Sequence, residues 1–242
     1  MNAPLPETYR LQCHECPIRH RAVCSRCDNE ELELLDSIKF YRSFRSGESI
    51  VLEGDKLDFT ASVVTGCATL SRSLEDGRKQ MVGLLLPSDF IGRPGRAHAP
   101  YEVTAATDLT LCLFRRAPFE ALMRDMPHIR DRLLEMALDE LDAARDWMLV
   151  LGRKSAREKV ASLLLVVLRR AATGANARTQ LPLTREAMAD YLGLTIETVS
   201  RQMSALKKEG VISLEGARGI GCPSLADLAL EAGEDSDGDI LS

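Results

Sequence analysis

Long hydrophobic runs are absent from this 242-residue sequence, in which no stretch approaches the length of about 18 apolar residues that a membrane-spanning helix needs. Residues 1–12 contain Pro4, Pro6 and Glu7 but no apolar run, so they do not resemble an export signal. We therefore expect a cytoplasmic protein that contacts no membrane. Because a reducing cytosol keeps thiols free, its seven cysteines are expected to serve metal binding or redox chemistry.

Catalytic signatures are absent as well. The four histidines, His14, His20, His98 and His128, have neither a triad arrangement nor a metal-ligand spacing. Nothing in the sequence resembles a nucleophilic enzyme site, and no set of acid and base residues marks a substrate pocket. These absences predict that the protein is not an enzyme.

An excess of positive charge, which is typical of nucleic-acid-binding proteins, is also missing, since the formal net charge is −5. The last dozen residues carry five acids, which are Glu231, Glu234, Asp235, Asp237 and Asp239. Residues 231–242 have little apolar content to bury and are predicted to form a disordered acidic tail. Without these five acids the rest of the chain is neutral. Charge therefore gives only weak support for a nucleic-acid partner, and the case for one rests on sequence patterns.

Short strands with closely spaced turn signals are present between residues 40 and 116. The candidate strands are residues 59–63, 69–73, 81–86, 101–105 and 109–115. Asp76-Gly77 is a hairpin signal, because such a turn needs positive φ. Residues 92–100 are too rich in glycine and proline for regular structure and are predicted to form a loop. The pattern indicates an antiparallel barrel or roll.

After Pro127 the hydrophobic period becomes helical. One stripe at alternating spacings of four and three contains Arg130, Leu134, Ala137, Leu141, Ala144, Met148 and Leu151. This stripe is typical of a coiled-coil seam and predicts a dimerisation helix that Gly152 ends. The alternative is one amphipathic helix lying on its own domain, because about three heptads are only just diagnostic.

A second, helical domain is predicted to begin at a capping box formed by Ser155 and Glu158. Residues 184–192 form a short capped helix, Gly193 permits a tight turn, and Thr195 caps a second helix that ends at Gly210. Residues 211–222 then read as a small β wing, followed by a short helix from Ser224.

Three polar side chains, those of Glu197, Ser200 and Arg201, project from the exposed N-terminal half of the second helix. That half enters the major groove in helix-turn-helix proteins, where Arg can bind guanine, Glu can accept from a base amino group and Ser can bond a base edge or phosphate. A plain helical hairpin with surface charges is the alternative. The glycine turn, both caps and the polar trio together favour a DNA-binding helix-turn-helix.

Four cysteines near the N-terminus follow the spacing C-x2-C-x7-C-x2-C, and they are Cys13, Cys16, Cys24 and Cys27. All four could close a tetrahedral zinc site. Alternatively, three of them could hold an iron–sulfur cluster whose fourth ligand lies elsewhere in the chain. Spacing alone favours zinc, because paired C-x2-C motifs are its common signature.

Residues 192–201, Leu-Gly-Leu-Thr-Ile-Glu-Thr-Val-Ser-Arg, resemble the recognition segment of the Fnr family, the oxygen-responsive branch of the cyclic AMP receptor superfamily. The similarity extends over almost the whole chain. Glu197, Ser200 and Arg201 match the Glu-x-x-Ser-Arg motif of the family one for one. The resemblance implies a homodimeric regulator of double-stranded DNA that binds palindromic sites with TTGAT-like half-sites.

The resemblance reverses the preference for zinc. Fnr-like sensors hold a [4Fe–4S] cluster, and one branch uses the C-x2-C-x7-C spacing found at Cys13, Cys16 and Cys24. Cys112 matches the fourth ligand, which comes from the β-roll. Cys27 departs from the pattern and is a possible substitute for Cys24. The implied function is oxygen sensing, in which the cluster at low oxygen promotes dimerisation and DNA binding.

Two further partners follow from the resemblance. Residues 74–79 match the position of a β-roll loop that meets RNA polymerase in the family, although a merely solvated hairpin is equally compatible with them. A cyclic nucleotide is not expected, because residues 87–92 and 99–102 lack the Gly-Glu pair and the Arg-Ser or Arg-Thr pair of nucleotide-binding members.

The predicted fold class is α+β. Its parts are a cluster-binding segment (1–28), an antiparallel β-roll (29–125), a coiled-coil dimerisation helix (126–152), a winged helix-turn-helix (153–230) and the acidic tail (231–242).

Overall fold

The computed structural model describes residues 11–171 and 177–234 and confirms the α+β class. It divides into two compact units, Met1–Leu138 and Asp139–Ser242. No helix in the described ranges is both long and apolar enough to cross a membrane.

The first unit begins with a cysteine-rich segment that contains a 3-10 turn, Cys13–Glu15. Helix α1, Asn29–Ile38, follows it and starts at a complete capping box between Asp28 and Glu31. Its buried face packs Leu32 and Leu35 against the cysteine-rich segment. The sequence did not predict this helix, because it is short and rich in charged residues, so its apolar residues give only a weak helical periodicity.

Eight strands form the β-roll: Lys39–Phe44 (β1), Ser49–Val51 (β2), Phe59–Thr65 (β3), Ala68–Ser73 (β4), Lys79–Leu85 (β5), Phe90–Ile91 (β6), Glu102–Ala105 (β7) and Leu109–Arg115 (β8). Antiparallel pairing gives two sheets, with the orders β1-β8-β3-β6 and β2-β7-β4-β5. The five predicted strands are all present. The three that were missed, β1, β2 and β6, are edge strands, where the burial pattern that marks a strand is weakest.

Strand β8 is buried on both faces, and period-two alternation decides which side chain faces which core. Leu109, Leu111 and Leu113 point into the interior of the roll. Cys112 and Phe114 point to the opposite face, against the cysteine-rich segment and α1. The cysteine of β8 therefore faces the N-terminal cysteines and not the centre of the roll.

Two helices follow the roll: α2, Arg116–Asp125, which was not predicted, and α3, Pro127–Arg153. The expectation that Gly152 ends α3 was wrong, because Gly152 lies in the last helical turn. A glycine is tolerated there, and its backbone φ is not among the positive values that mark a helix-ending glycine.

The second unit contains the predicted winged helix-turn-helix. Its elements are α4 (Ala156–Ala171), β9 (Ala177–Gln180), α5 (Arg185–Leu192), α6 (Ile196–Lys208), β10 (Ser213–Glu215), β11 (Gly219–Cys222) and α7 (Leu225–Glu231). The capping box ahead of α4 is confirmed by a bond of 2.7 Å from the Ser155 N–H to the Glu158 carboxylate. The wing has the two predicted strands and a third, β9, on the other side of β11.

The predicted acidic tail begins too early. Glu231 lies in α7, where its carboxylate pairs with Arg157, and Glu234 is buried with its carboxylate 3.0 Å from Arg169. Basic partners on α4 thus hold two of the five acids that composition assigned to a disordered segment. Residues 235–242 lie outside the described part of the chain.

Candidate metal centre and nucleic-acid interface

Four cysteines from two distant parts of the chain line one cavity. Cys13, Cys16 and Cys24 come from the N-terminal segment, and Cys112 comes from β8. The space they surround measures about 350 Å³, part of it open to solvent. The rest of the lining is largely apolar and consists of Ile18, Ala22, Val23, Leu35, Tyr41, Ser62 and Phe114. The arrangement provides four soft sulfur donors in a water-poor site.

Helix α1 and strand β1 position the first of these cysteines. The Cys13 N–H donates a bond of 2.9 Å to the Asp36 carboxylate near the end of α1. The same carboxylate pairs with the Lys39 ammonium, whose Nζ also lies 3.5 Å from Cys13 Sγ. Burial raises the pKa of the Cys13 thiol to about 11, against the lowering effect of Lys39. Lys39 is a cation well placed to offset thiolate charge, and sequence reasoning missed it.

Cys112 faces the N-terminal cysteines directly. It is 7% exposed, and its strand neighbours across β1 and β3 are Tyr41 and Ser62. Its pKa is raised strongly by burial and next by the negative charges of Cys13, Cys16 and Cys24. The four cysteines share one cavity, so their thiols influence one another electrostatically.

Cys27 is buried but does not line the cavity. Its pKa is raised to about 12, first by burial and then by the charges of Cys24, Glu31 and Asp28. It lies two residues before the start of α1. Cys24, whose own pKa is raised to about 11 by burial and by Cys16, is the N-terminal cysteine that shares the cavity with Cys112.

The spacing of the sulfurs distinguishes a single metal ion from a larger group. Four thiolates on one tetrahedral zinc ion lie about 3.8 Å apart, given a Zn–S bond of about 2.3 Å. No three cysteine sulfurs in residues 11–171 and 177–234 lie within 4.8 Å of one another. A cluster spreads its four thiolates over different irons and thus needs the wider spacing. The cysteines are therefore not arranged for one tetrahedral zinc ion, and the set that shares the cavity is compatible with a cluster.

Two polar contacts tie the cysteine-rich segment to the first half of α3, and a third ties α1 to the same part of α3. The Arg132 guanidinium donates a bond of 2.8 Å to the backbone oxygen of Arg21. Arg26 pairs with Glu135 at 2.7 Å, and His128 contacts the Glu31 carboxylate at 2.9 Å. A change in the position of the cysteine-rich segment would therefore change the contacts made by the first half of α3.

All seven residues of the predicted seam on α3 are exposed in a single chain, and they are Arg130, Leu134, Ala137, Leu141, Ala144, Met148 and Leu151. Leu138 and Leu149 beside them are also exposed. An apolar stripe of this length on one helix is typical of a surface that another protein covers.

The helix-turn-helix has the geometry that its sequence predicted. The Thr184 and Thr195 hydroxyls accept bonds from the N–H groups of Ala187 and Thr198, which caps both helices. Gly193 adopts φ +61° and ψ 42°, the left-handed conformation that a tight turn needs. Val199 on α6 is fully buried.

The polar trio on α6 lies opposite this buried face. Glu197 and Arg201 are exposed and Ser200 is half-buried. The pKa of Glu197 is lowered by its own backbone N–H and by the Thr195 hydroxyl, so the carboxylate is charged at neutral pH. No ion pair engages Arg201 anywhere in the described ranges, which leaves its guanidinium free for a ligand.

A helix-turn-helix with a free polar face, joined through a long helix to a β-roll, defines a DNA-binding transcription regulator. Two family models agree: one described as a Crp-like helix-turn-helix domain matches residues 158–230, and one described as a cyclic nucleotide-binding domain matches residues 41–126. The chain belongs to the Crp/Fnr family, which confirms the resemblance inferred from the sequence.

Three similar proteins illustrate the relationship. The transcriptional activator protein FnrL of Cereibacter sphaeroides is 62% identical over 233 residues, 94% of each chain. The nitrogen fixation regulation protein FixK of Bradyrhizobium diazoefficiens is 41% identical over 84% of this chain and 86% of its own. The solved structure of FixK2 from Bradyrhizobium japonicum has a TM-score of 0.74 and 33% identity, over 83% of this chain and all of that one. Like the first two, this chain is a transcription regulator and not an enzyme.

Proposed function

We propose that this chain is a homodimeric, oxygen-responsive transcription regulator that holds a [4Fe–4S] cluster on Cys13, Cys16, Cys24 and Cys112. One observation carries the proposal: three N-terminal cysteines and a cysteine of β8 line a single cavity, and Cys27 lies outside it. The wide spacing of the sulfurs and the basic Lys39 beside Cys13 support the same ligand set. Cys27 is a substitute ligand only if the segment rearranges.

When bound, a [4Fe–4S] cluster supplies sensitivity to oxygen. The chain supplies the rest of the mechanism. With their thiolates engaged, Cys13, Cys16 and Cys24 hold the N-terminal segment against β8. In that position the segment keeps its contacts with α3 through Arg132 and Glu135. If the four cysteines no longer held the cluster, the segment would be released from β8 and its contacts with α3 would weaken.

Pairing of α3 with a second copy would bring two helix-turn-helix units to one DNA molecule. The exposed seam from Arg130 to Met148 is the surface that we assign to the homodimer. Half a dimer loses most specific affinity, because a palindrome is read by two helices about one DNA turn apart. Under low oxygen we expect binding to TTGAT-like palindromes, with base contacts from Glu197, Ser200 and Arg201.

Activation is expected at some promoters, because the relative FnrL is named a transcriptional activator. The hairpin of residues 74–79 connects β4 and β5, and exposed Leu74 and an Arg78–Asp76 ion pair at 2.8 Å are found there. We assign this hairpin to contact with RNA polymerase.

We expect no cyclic nucleotide to bind, since residues 87–92 and 99–102 lack the residues that hold its ribose and phosphate in nucleotide-binding members. We assign the chain to the cytoplasm, where its DNA is.

A zinc-binding regulator that does not sense oxygen is the alternative. It would use Cys27 as the fourth ligand in place of Cys112. The burial of Cys27 close to Cys24 favours it, but the sulfur spacing does not.

The test is the metal content of protein purified without oxygen. We expect visible absorption, with about four irons and four sulfides per chain, and binding to a TTGAT palindrome that is lost after exposure to air. A duplex with scrambled half-sites is the control for non-specific binding. Zinc without iron, or DNA binding that air does not change, would contradict the proposal.

A further inference from the structure

Ser62 places a hydroxyl with no partner inside the cysteine cavity. It lies on β3, is 2% exposed, and its Oγ makes no hydrogen bond in the described part of the chain. Ser62 lines the cavity, and in the antiparallel pairing of β3 with β8 it lies directly opposite Cys112. A buried polar atom thus points into the space that the four thiols surround.

Such an atom is uncommon in a folded protein, because a buried hydroxyl that finds no hydrogen-bond partner destabilises the folded state. The rest of the cavity lining offers it none, since the side chains around it are mainly apolar or thiols. A hydroxyl is a good donor to negatively charged sulfur. The sulfurs are the atoms in this cavity that gain negative charge when a metal group is held there.

The geometry points to Ser62 as a hydrogen-bond donor to sulfur in the loaded site, either to Cys112 Sγ or to an inorganic sulfide. This role rests on the proposed function, because it requires the cluster. Ser62 is a positioning and tuning residue and not a ligand. A hydrogen bond donated to a sulfur stabilises the more negative, reduced state of the cluster. It therefore raises the reduction potential of the cluster and slows oxidation of the cluster.

Thr60 provides a matched control on the same strand face. Its hydroxyl is also buried and also lacks a partner, but it does not line the cavity. Ser62→Ala removes the donor, Ser62→Thr restores a hydroxyl, and Thr60→Val removes a hydroxyl two residues away.

The experiment compares the full-length variants after purification without oxygen. Iron and sulfide content, the midpoint potential, and the rate at which visible absorption is lost in air are measured for each. We expect Ser62→Ala to keep its iron, to have a lower potential, and to lose absorption about 2- to 10-fold faster, the factor that one hydrogen bond provides. Ser62→Thr should lie closer to the wild type, and Thr60→Val should equal it.

A measurement on the wild type is independent of variant folding. Exchange into D2O should shift the Fe–S stretching bands in resonance Raman spectra, and part of that shift should be absent in Ser62→Ala. The role of Ser62 would be overturned by equal potentials and decay rates in wild type and Ser62→Ala, or by changes in Thr60→Val as large as those in Ser62→Ala. Neither result would contradict the proposed function. Wild-type protein without iron and sulfide would overturn the proposed function and this role with it.

Discussion

The Arg132 guanidinium of α3 donates a hydrogen bond of 2.8 Å to the backbone oxygen of Arg21, in the loop between two cysteines of the candidate metal centre. A second nitrogen of Arg132 lies 3.2 Å from Glu135, which pairs with Arg26 just after Cys24. These contacts join the cysteine-rich segment to the helix that carries the exposed seam. If the cysteines hold a metal group, these contacts are the path by which we expect it to influence the pairing of α3.

Arg132→Ala should uncouple cluster loading from dimerisation. Without the bond to Arg21, the ratio of dimerisation constants between iron-loaded and metal-free protein should fall by about 2- to 10-fold, the effect of one net hydrogen bond. Sedimentation of both forms measures it. Arg145→Ala, which removes an exposed Arg145–Asp142 pair on the same helix, is the control. Equal coupling in both variants would show that the path does not run through Arg132.

Cys112→Ala should yield protein with little iron even when prepared without oxygen, because no other cysteine lines the cavity on that side. Cys27→Ala should keep most of its iron. Cys67→Ala, which removes a buried cysteine outside the cavity, controls for the loss of a thiol. A four-cysteine zinc site predicts the reverse order for Cys112 and Cys27. Full iron and oxygen-sensitive DNA binding in Cys112→Ala would rule out this ligand.

Arg201→Ala should cost about 1–3 kcal/mol of specific DNA binding, because it removes one bidentate base contact per half-site. Non-specific binding should fall much less. Titrations with palindromic and scrambled duplexes at one salt concentration separate the two effects, since phosphate contacts depend on salt. Arg124→Ala removes the same charge from α2 and should change neither. Equal losses on both duplexes would mean that Arg201 contacts phosphate.

Leu141→Asp should weaken dimerisation by roughly tenfold or more, because two carboxylates would face each other in an apolar seam. Operator binding should fall with it. Leu34→Asp is the control, because Leu34 on α1 is 50% exposed, close to the 46% of Leu141, but lies off the seam. Unchanged sedimentation and operator affinity in Leu141→Asp would show that the stripe is not the dimer surface.

Arg157→Ala should destabilise the second unit by about 1–2 kcal/mol, because the 26%-exposed guanidinium bonds both Glu209 and Glu231. Arg178→Ala breaks a pair whose arginine is 71% exposed and should cost less than about 0.5 kcal/mol. Thermal unfolding measures both. The bond from Arg157 lowers the pKa of Glu231 below its ordinary 4.5, so the stabilisation is complete above that pH and is lost as pH falls through the folded value. Equal losses in the two variants would contradict this ranking.

Local signals in the sequence were sufficient for the helix-turn-helix. The caps at Thr184 and Thr195 and the turn at Gly193 act within a few residues, so their pattern is readable without tertiary contacts. The same holds for β8, whose predicted bounds agree with the structure. Edge strands such as β1 and the early part of the tail were misjudged, because only their partners, β8 and Arg169, give them order.

The sequence by itself determined the chemistry of the candidate metal centre: cysteines at ligand spacing in one segment, and a cysteine in β8 that alternation places opposite Leu111 and Leu113. Only the tertiary structure decided which of these thiols share a cavity. Cys24 faces Cys112 and Cys27 does not, and Ser62 and Lys39 join them. Spacing along the chain cannot report this, because the register of β3 on β8 and the packing of α1 bring together residues far apart in sequence.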